Sequence, residues 1–267
     1  MIKTKHVFLL ILCLIVFGCA TYEPMYKDPF EASSIPVQKG IEKSFYLIGD
    51  AGYAQPGKST PALLALEKYL EENQQTGNYA IFLGDNIYPD GMPVKEAKDR
   101  AIAEHRLDVQ IDAVKNFDGQ VYFIPGNHDW YNEGLKGLKR EEDYFESRLR
   151  DNQLFRPKTG CAFESIEVTE NIQLMIFDSQ WFLEDWDKHP TINDNCPEIK
   201  TREALFTEIE SEFKKNQNKT TVFVLHHPLY TNGVHGGKFA IDKHLFPSQK
   251  KIPLPVLASL VQLIRTS

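Results

Sequence analysis

Four short apolar runs, each ending abruptly in polar residues able to hold a metal ion, constrain this chain more than anything else in it. Phe45-Tyr46-Leu47-Ile48 leads into Gly49-Asp50-Ala51-Gly52, and Asn78 to Leu83 leads into Gly84-Asp85-Asn86-Ile87-Tyr88. Val121-Tyr122-Phe123-Ile124 precedes Gly126-Asn127-His128-Asp129, and Val222-Phe223-Val224-Leu225 precedes His226-His227-Pro228. Runs of this kind read as buried strands. The strands of an α/β sheet deliver their last residues to the crevice where ligands bind, so the four endings are expected to share one place.

The residue types at those endings suit metal-assisted hydrolysis. The Asp85 carboxylate has two oxygens and can bridge two cations, and a Tyr88 phenolate is a hard ligand suited to a trivalent ion such as iron. Asp50 is a candidate terminal ligand to the first metal, and Asn127 offers an amide oxygen. His128 could bind phosphate or protonate a leaving group, with Asp129 orienting its imidazole. Adjacent side chains on extended backbone point to opposite sides, so only one of His226 and His227 should face the metals. His226 is the expected one. His235 lies in a glycine-containing loop, Gly233-Val234-His235-Gly236-Gly237, expected near the site. Singly, each has a plainer explanation: Gly-Asp after an apolar run is an ordinary turn, and His235 reads equally as a solvent-exposed loop residue. Together they describe one two-metal hydrolytic site.

Helical patterns separate the strands. Thr60 as cap and Pro61 in the first turn open a helix through Leu63, Leu64, Leu66, Tyr69 and Leu70. Lys95 to Phe117 reads as a long polar helix with Ile102, Leu107, Ile111 and Val114 on one side. Further helices are expected over 135–150 and 199–214, the latter with Leu205, Ile209 and Phe213 in register, and strands over 120–124, 162–168, 172–177 and 220–225. Helices alternating with short apolar strands indicate an α/β layered fold.

At 267 residues the chain is long enough for one full domain, expected over 43–267. A net charge of −7 gives no indication of a nucleic-acid groove or a polybasic membrane patch. An acidic protein that handles phosphate esters needs local positive charge, which bound metal ions supply. At the N-terminus, Lys3 and Lys5 precede an apolar run from Val7 to Phe17, too short to span a bilayer but suited to a secretory signal. Val16-Phe17-Gly18-Cys19 resembles a bacterial lipoprotein cleavage box. The expectation is a signal peptide over 1–18, lipid on Cys19 and a proline-containing tether over 19–42, in an exported protein anchored in the bacterial cell envelope. A plain signal peptide with an incidental cysteine is the alternative. Cys161 and Cys196 remain in the domain; export would let them oxidise to a disulfide, and two buried free thiols are the other reading.

The set Gly-Asp-x-Gly, Gly-Asp-x-x-Tyr, Gly-Asn-His-Asp and His-x-Pro resembles the calcineurin-like metallophosphoesterases from about Ser44 to Gly237. The spacing of Tyr88 and the absence of a histidine at residue 52 are similar to the purple, or tartrate-resistant, acid phosphatase branch. The resemblance implies a layered sandwich of two β-sheets flanked by helices. It implies that Asp50 and Tyr88 bind iron, that Asp85 bridges two metal ions, and that Asn127 and His226 bind the second, which is Fe, Zn or Mn. His128 and His235 match histidines that contact the phosphate or the leaving group. The implied function is hydrolysis of a small phosphoester by a metal-activated hydroxide, as an acid phosphatase-type phosphomonoesterase. A phosphodiesterase or nucleotide hydrolase uses the same metals and is the near alternative. The family also ends in a Gly-His-x-His segment with one histidine for each metal, and this chain has none, so its C-terminal part is expected to be missing; His244 is a possible stand-in. That departure keeps a third reading open, a catalytically inactive, surface-tethered binding module.

Overall fold

A computed structural model describes residues 40–73, 77–149, 151, 153–196 and 199–231. The proposed signal peptide, Cys19, His235 and His244 lie outside the described residues. Residues 1–42 and 43–267 separate as two units, and every helix and strand described belongs to the second.

The element order is β1 (Phe45–Ile48), α1 (Pro61–Glu72), β2 (Tyr79–Phe82), α2 (Arg100–Val114), β3 (Gln120–Phe123), α3 (Asn127–Trp130), α4 (Leu135–Leu149), β4 (Phe163–Thr169), β5 (Ile172–Phe177), α5 (Ser179–Leu183), α6 (Arg202–Lys215) and β6 (Thr220–Leu225). β1, β2 and β3 form one parallel sheet in that order, and β4, β5 and β6 form a second, with β4 antiparallel and β6 parallel to β5. This is the expected architecture of two sheets flanked by helices.

Alternation along the strands explains the layering. In β2 all four residues are buried, and in β5 all six, as expected of strands covered on both faces. Tyr79 and Ile81 of β2 and Tyr122 of β3 join Ile124, Leu174, Ile176 and Val224 in a core between the sheets. The alternate residues Ala80, Phe82 and Phe123 turn to the outer core, with Leu63 and Leu70 of α1, Leu107 of α2 and Phe145 of α4. There Phe82 stacks on Phe123 with centroids 4.5 Å apart, and Phe123 on Phe145 at 3.8 Å.

Register sets the position of the strand endings. Ile48 pairs with Phe82, and Phe82 with Phe123, so the segments bearing Asp50, Asp85 and Asn127 leave the first sheet at one level. Phe177 pairs with Leu225 in the second sheet, so Asp178 and His226 leave it side by side.

The Thr60 cap is present, its side chain accepting from the Leu63 N–H at 3.2 Å. α2 differs from expectation: it begins at Arg100, not Lys95, and ends at Val114. Lys95-Glu96-Ala97-Lys98 brings no apolar side chain but an alanine to bury, and a helical turn without packing is marginal in water. The helix starts where Ala103 and Leu107 reach the core, its first turn held by Arg100, which donates to the Pro93 carbonyl and to Glu104. α6 likewise starts at Arg202, capped by Thr201, and of its expected apolar set only Leu205 is buried. Cys161 and Cys196 are joined by a disulfide, S–S 2.08 Å, and are not two free thiols. Among the described residues no helix is long and apolar enough to cross a membrane.

Candidate metal centre

Two loops of the first sheet are laid against each other by main-chain bonds. Asp50 N donates to the Gly84 carbonyl at 3.2 Å, Gly52 N to Asp85 at 3.0 Å, and Tyr88 N to Gly52 at 3.1 Å. Asp50 and Asp85 both have φ of 55°, a left-handed conformation held at a cost in residues with a Cβ and better tolerated by Asp than by most. The fit leaves no room at Gly126. Its φ of −107° suits any residue, but a Cβ there would lie 2.3 Å from Asp85 N and 2.4 Å from Asp85 Oδ1.

The side chains divide into two halves about Asp85. On one side Tyr88 Oη donates to Asp50 Oδ1 at 2.7 Å. On the other, His226 Nε2 lies 3.0 Å from Asn127 Oδ1 and 3.4 Å from Asp85 Oδ1. Ligand atoms of Asp50, Asp85 and His226 all fall within 4.8 Å of one another. His226 comes from β6 in the second sheet, and its Nδ1 is 2.9 Å from the Leu83 carbonyl at the end of β2. A carbonyl accepts, so Nδ1 carries the proton and Nε2 presents a lone pair. The amide of Asn127 donates through Nδ2 to Tyr131 Oη at 2.6 Å, which turns Oδ1 toward the histidine. With the imidazole neutral, three acceptor atoms from three strand endings face one another, an arrangement that a proton on Nε2 or a bound cation relieves.

Burial, followed by hydrogen bonding to Asp50 and Asp85, raises the Tyr88 phenol well above its ordinary value. The group is therefore a neutral phenol unless a cation replaces its proton. His128 stands beside this half: its ring lies 4.3 Å from that of Tyr88 and 4.8 Å from that of Tyr131, centroid to centroid. Its Nδ1 bonds the Pro89 carbonyl, and Nε2 is 3.9 Å from Asp85 Oδ2.

Asp129 does not orient His128, contrary to expectation. Its fully buried carboxylate accepts main-chain N–H bonds from Gly126 at 2.8 Å, Ile87 at 3.0 Å and Asn86 at 3.2 Å. The helical turn of α3 points Asp129 inward while His128 faces outward, so Asp129 stitches the Gly126 loop to the Asp85 loop. Asn86 bridges it to a second buried acid, donating to Asp129 Oδ2 at 3.3 Å and to Glu141 Oε1 at 3.1 Å. Burial raises both carboxyls, opposed at Asp129 by its main-chain donors and at Glu141 by the bond from Asn86.

His227 bonds Ser179 instead, its Nδ1 2.8 Å from Ser179 Oγ and its ring edge-on to that of His226 at 4.9 Å. Several residues with no recognisable motif prove to support the site. Asp178 caps α5 by accepting from Trp181 N at 3.0 Å and accepts from Trp130 Nε1 at 3.1 Å. Tyr53 is exposed with its ring edge-on to Tyr88 at 6.0 Å. Tyr131 could have been found from its i, i+4 spacing to Asn127 had the short helix α3 been foreseen; nothing local marks Asp178 or Ser179. His235 lies outside the described residues.

Residues 43–253 match the model of the family described as calcineurin-like phosphoesterase. A comparison with curated proteins gives no match. Among solved structures, a protein of unknown function from Aquifex aeolicus is similar, with 12% identity over 71% of this chain and 81% of that chain, at a TM-score of 0.33.

Proposed function

The chain belongs to the calcineurin-like phosphoesterase family of metal-dependent phosphoester hydrolases, and from that premise we propose that it is a two-cation phosphomonoesterase of the purple acid phosphatase kind. The reading is carried by the meeting of His226 Nε2, Asn127 Oδ1 and Asp85 Oδ1 at 3.0 and 3.4 Å. Asp50 and Tyr88 would hold one cation, where a phenolate would favour iron. Asn127 and His226 would hold the other, Fe, Zn or Mn, with Asp85 a ligand available to either. Two bound cations would supply Lewis acidity toward the phosphoryl oxygens and lower the pKa of a water to about 7.

The protein's own groups do the rest. His128 keeps Nδ1 on the Pro89 carbonyl, which leaves Nε2 as the atom that carries or releases a proton. Protonated there, it delivers that proton to the departing ester oxygen. In the same reading His235 contributes to phosphate contact. Asp129 holds the two loops in place and takes no part in proton transfer.

Loading the purified chain with iron and zinc, then assaying a monoester and a diester of one chromophore, tests the assignment. Faster turnover of the monoester is the expected result. Preference for the diester would move the assignment to a phosphodiesterase, and metal uptake by neither site would leave a binding module. We also propose export to the bacterial envelope with lipid on Cys19. The disulfide between Cys161 and Cys196 supports an oxidising compartment, and incorporation of labelled fatty acid by the wild type and not by C19A is the check.

A further inference from the structure

The corner where β5 turns into α5 makes two connections to the candidate centre that none of its motifs explains. Ser179 Oγ accepts from the His227 main-chain N–H at 3.2 Å. The same oxygen lies 2.8 Å from His227 Nδ1. With one hydrogen and two lone pairs, the hydroxyl can accept from the main chain and still bond the ring nitrogen in either tautomer. One side chain thus grips both the backbone and the imidazole of the residue that follows His226. Asp178, its neighbour, accepts from the indole of Trp130, and Trp130 closes the short helix that begins at Asn127. Ser179, Asp178 and Trp130 are all buried, so water does not replace these bonds cheaply.

We propose that Ser179, with Asp178 beside it, is a positioning residue for the cation site formed by His226 and Asn127. The proposal rests on the reading of those two residues as ligands. The rings of His226 and His227 meet edge-on with centroids 4.9 Å apart, so a movement of one ring displaces the other. Fixing His227 on Ser179 therefore fixes His226 in the cluster, and the Leu83 carbonyl then selects the tautomer. Asn127 is held from the other side through Trp130. A single buried corner of the second sheet thereby sets the separation of two ligands that lie 99 residues apart. Groups that orient metal ligands from behind change metal affinity by about 10–100-fold when removed.

Calorimetric titration of zinc into the chelator-stripped full chain tests this, with the thermal midpoint of the cation-free form as the control. The wild type is expected to bind two equivalents. S179A should weaken one of them by roughly 10–100-fold, leave the other unchanged, and leave the cation-free midpoint within a few degrees. S179T, which keeps the hydroxyl, should recover the wild-type isotherm. W130F, which removes the indole N–H together with part of the buried ring, should weaken the same equivalent and not the other, read against its own cation-free midpoint. Wild-type isotherms for both S179A and W130F would overturn the proposal while leaving the ligand assignment standing. Equal weakening of both equivalents in S179A with a collapsed midpoint would reduce Ser179 to a general stabiliser. Absence of zinc binding by the wild type would overturn the ligand assignment itself, and the proposal with it.

Discussion

His226 Nδ1 meets the main-chain carbonyl of Leu83 at 2.9 Å across 143 residues of sequence. The bond joins the ending of β6 in one sheet to the ending of β2 in the other, at the point where both sheets release their loops. It leaves the imidazole one free nitrogen, aimed at Asn127 and Asp85. A histidine held in this way is committed to one tautomer before any ligand arrives, which lowers the cost of binding a cation.

H226A should accordingly lose one of two cation equivalents and keep the other. Turnover of an aryl phosphomonoester should fall at least about 100-fold, equivalent to about 2.7 kcal/mol of transition-state stabilisation. The cation-free midpoint should fall by a few degrees, because the Leu83 carbonyl loses its donor. Wild-type turnover in H226A would refute its place in the centre.

G126A tests the contact between the two central loops. The added methyl would meet Asp85 N and Oδ1 at 2.3 and 2.4 Å, and the neighbours are main chain and a candidate ligand rather than a flexible tip. Overpacking of this kind costs about 1–3 kcal/mol, which lowers the midpoint of a domain this size by roughly 2–4 °C per kcal/mol. Activity should fall further than stability, since the displaced group is the Asp85 carboxylate. An active, fully stable G126A would show that the loops separate more easily than their packing indicates.

Local chemistry made much of this fold legible. The Thr60-Pro61 start of α1 announces itself by capping, and the strands by apolar runs with abrupt polar ends. Asp50, Asp85, Tyr88, Asn127 and His226 could be nominated because each follows such a run. The partners of Asp129 and Asp178 could not, because the Asp129 donors at Asn86 and Ile87 are more than 40 residues away and the Trp130 indole is 48 from Asp178. α3 and α5, of four and five residues, are too short to show a period. The late start of α2 reflects a polar segment with helix-forming residues and nothing to pack against, a distinction that propensity alone does not make.

Asp129 is expected to act on stability. In D129A the N–H groups of Gly126, Asn86 and Ile87 lose their acceptor, and each buried donor left so costs about 1–3 kcal/mol. Denaturant unfolding of the cation-free protein should show a loss of several kcal/mol. A variant that unfolds like the wild type yet turns over slowly would restore Asp129 to the role of orienting His128.

Asp178 gives the fold a pH dependence of defined sign. Burial, opposed by the bonds from Trp181 and Trp130, pushes its carboxyl up to about 7, against about 3.9 in an unfolded chain. Between those values the native state keeps a proton that the unfolded state releases, so stability falls as pH rises, by up to about 1.4 kcal/mol per pH unit. The stabilising contribution is complete below about pH 4 and gone above the folded value. D178N carries no such proton and offers one acceptor where the carboxylate offers two, so it should be destabilised by an offset that does not vary with pH. Unfolding free energies measured with chelator from pH 4.5 to 8 should therefore show the advantage of the wild type over D178N shrinking up to about pH 7 and then levelling. A constant difference across that range would mean that Asp178 is ionised throughout, held so by the Trp181 main-chain N–H and the Trp130 indole against the cost of burial.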